Sequence, residues 1–193
     1  MTFNPLAAGS IPARPTRNTG FREEAFFYFD YHRHNNIYFY QQYLPILLGR
    51  KIMNNEIRNA IYKQVAAEPF AKKFGLQLID IQEGYAKVEM VFTADLENMF
   101  GMAHGGALFA LIDEAFEVAS NSHGTMAVAL NMSVNYLASP SKGSRLTAEA
   151  KEINKAKKTA AYDILVTDDK NNLIAACQAL VYRMEKPLPF LED

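Results

Sequence analysis

A chain of 193 residues with 49% apolar and 21% charged residues is built to fold as one ordinary globular domain, with length to spare for an appendage. Its formal net charge of −1 gives no reason to expect a nucleic-acid partner. The single cysteine, Cys177, excludes an intrachain disulfide and suits a reducing cytosol, and no uncharged apolar run reaches the ~18 residues that span a bilayer. A cytoplasmic protein with no membrane partner is the expectation.

Residues 1–20 carry Pro5, Gly9, Pro12, Pro15 and Gly20 without a periodic apolar pattern and read as disordered. Ten of the 23 aromatic residues then crowd into residues 21–43, fitting neither a helical nor a strand period. Charge shifts as well. Residues 1–52 hold six basic and three acidic groups, leaving fourteen and eighteen of the totals of 20 and 21 for the remainder. The break falls at Met53, so residues 1–52 are read as a disordered extension or a mis-assigned start. Asp30, His32 and His34 alternate as metal ligands on a strand would, but no further ligands cluster with them in sequence, and no metal is expected.

From Met53 the pattern becomes globular. Asn54 is placed to cap a helix whose Ile57, Ile61 and Val65 share a face and which Pro69 ends. Two strands follow at 76–82 and 85–92, joined near Glu83-Gly84, with Ala86, Val88, Met90 and Phe92 on the apolar face. Four more are expected at about 126–137, 144–154, 158–167 and 173–184, separated by Pro140–Gly143, Asn154-Lys155 and Asp168–Asn172. The tail, 185–193, with Pro187 and Pro189, reads as loose. Runs of strands about one apolar helix define an α+β fold, an antiparallel sheet wrapped around that helix.

The helix itself lies between the two sets of strands. Asn98-Met-Phe-Gly-Met-Ala-His104-Gly105-Gly106 leads into Ala-Leu-Phe-Ala-Leu-Ile-Asp113-Glu114. Residues 107–112 have no polar side chain, which predicts a helix buried all round. Asp113 at the end of that run is costly unless paired, hydrated or used. The two glycines open the first turn, where unpaired N–H groups stabilise a carbonyl oxygen that is gaining negative charge. An oxyanion site and a candidate base thus sit in one segment. Glu114 and Glu117 are expected to be solvated or at an interface, and His123 and Cys177 to be structural. Lys142, Arg145, Lys155, Lys157 and Lys158 read as exposed hairpin ends outside the site.

Asn98, His104-Gly105-Gly106 and Asp113 in Phe-Ala-Leu-Ile-Asp make an ordered set. Taken with Val134-Asn-Tyr-Leu137, Pro140, Gly143, Leu146-Thr-Ala148 and Tyr182-Arg183, it resembles the PaaI-type (phenylacetic acid degradation) acyl-CoA thioesterases. The resemblance spans roughly 68–184 and implies a hotdog fold that hydrolyses a CoA thioester without a cofactor. In that reading the Gly105 N–H polarises the carbonyl and Asp113 is base or nucleophile. Asn98 positions water or thioester, His104 supports the loop, and Gly106 borders the substrate. Two positions depart from the pattern. Ala129 stands where some members carry a water-holding hydroxyl, with Asn131 or Ser133 as substitutes, and Ala156 replaces a frequent hairpin glycine. Two rivals share the scaffold, a hydratase or dehydratase and a non-catalytic acyl-CoA sensor.

Helix geometry adds a constraint. Gly105 and Asp113 are eight residues apart, hence ~12 Å along the axis and within roughly 80° around it. They cannot meet at one carbonyl from the same helix. Two antiparallel helices about a two-fold axis bring each N-terminus beside the other chain's Asp113. The expectation is a homodimer, paired again into a homotetramer in some members of the family, with shared active sites.

Overall fold

In a computed structural model of the protein, residues 53–191 are described; the aromatic run and the Asp30, His32 and His34 set lie outside the described residues. Asn54 caps α1 (Asn55–Ala67), its side chain accepting the Glu56 N–H at 2.7 Å. Ile61 and Val65 are buried beneath it and Ile57 packs against the same core. The helix stops one residue before Glu68-Pro69, as a proline demands. The sequence reading ended the helical region there. Instead Pro69 opens a second short helix, α2 (Pro69–Phe74), because a proline at the first helical position loses no hydrogen bond. Gly75, at φ +67°, closes it.

Six strands form one antiparallel sheet: β1 (Gln77–Gln82), β2 (Tyr85–Val91), β3 (Thr125–Tyr136), β4 (Arg145–Lys155), β5 (Thr159–Thr167) and β6 (Leu173–Pro187). Their order is β1-β2-β4-β5-β6-β3, so β3 crosses over to the far edge. The alternation read in the sequence is the burial pattern observed. Ala86, Val88 and Met90 of β2 face inward, with Leu146, Ala148 and Ala150 of β4 and Ala160, Tyr162, Ile164 and Val166 of β5. The small residues among them let the sheet close on the central helix, α3 (Gly105–Asn121), which packs against β2, β4 and β3. Leu111, Ile112, Ala115 and Phe116 of α3 are fully buried, and each of the larger three contributes roughly 2–3 kcal/mol of apolar burial. Phe116 meets the ring of Tyr162 edge-on at 5.4 Å.

Two expectations are corrected here. The tail is not loose: β6 runs on to Pro187, Leu188 is buried, and a 3-10 turn (Pro189–Leu191) leaves Phe190 and Leu191 packed on the core. Proline at an edge or strand end is tolerated, and the apolar residues around it supply the burial. Nor is α3 covered on every side. Phe109 and Glu117 are exposed and Asp113 is half-buried. Spaced by four, they form one open stripe along the helix.

Candidate active site

Loop 98–104 is built before the helix begins. The Asn98 side-chain oxygen accepts the N–H groups of Phe100 (2.9 Å) and Met102 (3.2 Å), and the main chain of Asn98 bonds to Met102 and Gly101. Gly101, at φ +73°, makes the turn. Asn98 is therefore an organiser of the loop through its oxygen, while its NH₂ has no partner among the described residues.

At the start of α3 four N–H groups lack helical acceptors, as at any helix N-terminus. Three are engaged. His104 is the N-cap: its own N–H donates to the Leu96 carbonyl at 2.9 Å, its Nδ1 accepts the Gly106 N–H at 2.9 Å, and its carbonyl accepts from Ala107 at 2.9 Å. That bond fixes Nδ1 as an acceptor, so the neutral ring carries its proton on Nε2. The Gly105 N–H alone has no acceptor among the described residues. Gly105 lines a pocket of about 360 Å³ together with Met102, Ala103, Leu108, Tyr136 and Leu137. Gly106 lines a separate, smaller pocket with His104, Phe74 and Leu96.

Sequence reasoning passed over the role of Tyr136. From the end of edge strand β3 its hydroxyl donates to the Gly105 carbonyl at 3.1 Å. A Cβ on Gly105 would lie 3.4 Å from the ring, so the ring packs directly against this residue. The available signal was its place in the Val134–Leu137 stretch.

Two turns along the helix, burial holds the Asp113 carboxyl above the usual aspartate range. Glu114 contradicts its sequence reading as a solvated acid. It is only 3% exposed, its Oε1 has no hydrogen-bond partner among the described residues, and burial pushes its pKa up to about 8, with Glu68, Glu117 and Asp113 adding repulsion. The reason is rotational: 100° beyond Asp113, Glu114 leaves the open stripe and turns beneath the Glu68 junction between α1 and α2. Glu117 stays on the stripe, exposed as expected. Its carboxyl and that of Glu68 are both raised by desolvation first and by neighbouring acids second.

Ala129, Asn131 and Ser133 of β3 are all exposed, on the strand that has no neighbour on its outer side among the described residues. His123 is structural: Nε2 lies 2.7 Å from Glu152, which also accepts the Tyr162 hydroxyl at 2.9 Å. Cys177 is buried and unpaired by disulfide. No group of three His, Cys, Asp or Glu side chains able to hold a metal occurs among the described residues. No helix among them is long and apolar enough to cross a membrane.

An antiparallel sheet wrapped around a helix that opens on His-Gly-Gly and carries an acid two turns on defines a hotdog-fold hydrolase. The comparisons agree. The sequence model of the thioesterase superfamily matches residues 100–175. A putative esterase of Archaeoglobus fulgidus is 38% identical over 71% of this chain and 87% of its own. The acyl-coenzyme A thioesterase PaaI of Escherichia coli is 35% identical over 65% of this chain and 88% of its own. The solved E. coli PaaI structure superposes with a TM-score of 0.67 at 30% identity, covering 70% of this chain and 98% of that one. The chain belongs to the thioesterase superfamily and is a PaaI-like thioester hydrolase. A Streptococcus mutans structure of the same fold, 26% identical with a TM-score of 0.56 over 58% of this chain and 91% of that one, is bound to acetyl CoA.

Proposed function

We propose that the protein hydrolyses an acyl-CoA thioester to a free acid and CoA, in the cytoplasm, at two equivalent sites shared between the subunits of a homodimer or of a homotetramer built from it. The observation that carries this reading is the Gly105 N–H, the one helix-start donor without an acceptor among the described residues, on a residue that lines a mostly apolar pocket. The acetyl CoA on the S. mutans relative supports the substrate class.

The thioester carbonyl oxygen accepts from the Gly105 N–H, at the positive end of α3. Asp113 of the partner subunit, ionised, either takes a proton from water as that water attacks the carbonyl carbon or attacks directly to give a mixed anhydride that water then opens. In both courses the tetrahedral oxyanion gains the strongest bond to Gly105, the C–S bond breaks, and the thiolate leaves as CoA after taking up a proton. Burial of Asp113 raises its basicity, which suits it to proton abstraction near neutrality. The Asn98 amide donates to the water or the thioester. His104 spends its Nδ1 on Gly106 and so keeps the first turn in place, with Gly106 on the smaller pocket beside it.

The antiparallel pairing gives the open stripe of α3 its occupant. If Gly105 of one helix lies level with Asp113 of the other, Phe109, midway between them, sits on the two-fold axis. The test is thiol release by purified protein across a panel of short, long and aromatic CoA esters. Turnover of at least one ester is expected. No release from any of them, with intact fold, overturns the hydrolase reading, and acyl-CoA binding without turnover would instead favour the sensor.

A further inference from the structure

The oxyanion donor sits on the most flexible pair of residues a helix can begin with. Two consecutive glycines have the largest conformational freedom to lose, and an N–H dipole stabilises a developing charge only when it is held in place beforehand. The peptide unit linking Gly105 to Gly106 is held at both ends: its N–H by His104 Nδ1 at 2.9 Å and its carbonyl by the Tyr136 hydroxyl at 3.1 Å. His104 belongs to the same loop as the glycines. Tyr136 comes from β3, 31 residues on, and so ties the turn to the sheet. Its ring lies against the Gly105 Cα, at 3.4 Å from where a Cβ would be, and walls the pocket that Gly105 lines.

We propose that Tyr136 is a positioning residue for thioester hydrolysis: by fixing the Gly105–Gly106 peptide plane its hydroxyl restrains rotation about the Gly105 Cα, and so keeps the Gly105 N–H on the other side of that Cα aimed at the substrate carbonyl. The inference rests on the hydrolase reading above. It separates the two parts of the side chain. The hydroxyl acts on the turn and therefore on the transition state, whereas the ring shapes the pocket and therefore ground-state binding as well. Tyr136 is half exposed at the sheet edge, so removing one oxygen leaves the core untouched.

The experiment compares Tyr136→Phe and Tyr136→Leu with the unaltered protein, using the CoA ester turned over best. Loss of the hydroxyl alone should lower kcat on the order of five- to tenfold with KM changed less than twofold, the signature of an interaction made mainly in the transition state. Loss of the ring should lower kcat at least as far and raise KM too. A second readout is independent of turnover. In protein labelled with ¹⁵N-glycine, ten residues give signals, and the Gly106 amide should exchange with solvent several-fold faster in Tyr136→Phe while Gly84, far from Tyr136 in sequence and bonded to Ser122, is unchanged. Unaltered kcat with unaltered Gly106 exchange overturns the proposal, as does a loss carried by KM alone. Faster Gly106 exchange in a protein that releases no thiol supports the clamp and refutes the hydrolase reading instead.

Discussion

Replacing Glu114 by glutamine tests how the core of α3 stores electrostatic strain. The folded protein holds this carboxyl at a pKa of about 8 against 4.5 for an ordinary glutamate, chiefly by burial and then through Glu68, Glu117 and Asp113. Below about 4.5 both folded and unfolded chains carry the proton, and the group costs nothing. Between 4.5 and about 8 only the folded chain keeps it, so stability falls by up to ~1.4 kcal/mol per pH unit. Above about 8 both states are ionised and the full cost stands, with a ceiling near 5 kcal/mol. Glutamine has the shape and neutrality of the protonated acid and does not titrate. Urea unfolding at pH 5, 6.5 and 8, at one protein concentration so that any association is held constant, gives the difference between the two proteins. Subtracting one from the other cancels the raised carboxyls of Glu68, Asp113 and Glu117. Relative to the original protein, Glu114→Gln should gain about 2–4 kcal/mol between pH 5 and pH 8. A difference that stays flat across that range, or one of opposite sign, refutes the assignment of Glu114 as a buried neutral acid.

Asp113→Asn should cut kcat by a factor on the order of 10²–10⁴ with an unchanged melting temperature, and the acid limb of the original pH–rate profile should lie above the ordinary aspartate pKa, because burial raises it. Mixing Asp113→Ala subunits with subunits bearing a bulky residue at Gly105 should restore one intact site per mixed dimer; no recovery despite demonstrated heterodimers disproves the shared site. Gly124→Ala should cost about 1–3 kcal/mol in urea unfolding, since Gly124 lies at φ +77° and a Cβ would come 2.5 Å from Ile57 Cδ1. Protein beginning at Met53 should match the full chain in melting temperature and turnover; a loss of several degrees would show that residues 1–52 contribute to the fold.

The α+β class and each strand of the sheet were legible in the sequence because strand alternation reports which face meets the core: Ala86, Val88 and Met90 are buried as their period required. So was the open helix start at His104-Gly105-Gly106. Two glycines after a capping histidine leave unpaired N–H groups whatever the tertiary setting. Which of those groups stays free depended on neighbours, since the Leu96 carbonyl, His104 Nδ1 and the His104 carbonyl engage the other three. Periodicity could not locate Glu114, because α2 and the Glu68 before it pack on one flank of α3 and leave the next flank open; an acid one position along the helix passes from half-buried to buried. Tyr136 escaped for a related reason: 31 residues separate it from Gly105, and only the crossover that carries β3 to the sheet edge brings its hydroxyl to the turn. The sequence by itself determined which residues alternate, cap and break, because those are local properties of the backbone. Tertiary structure alone decided which polar groups found partners, because a partner's identity depends on what the fold brings alongside.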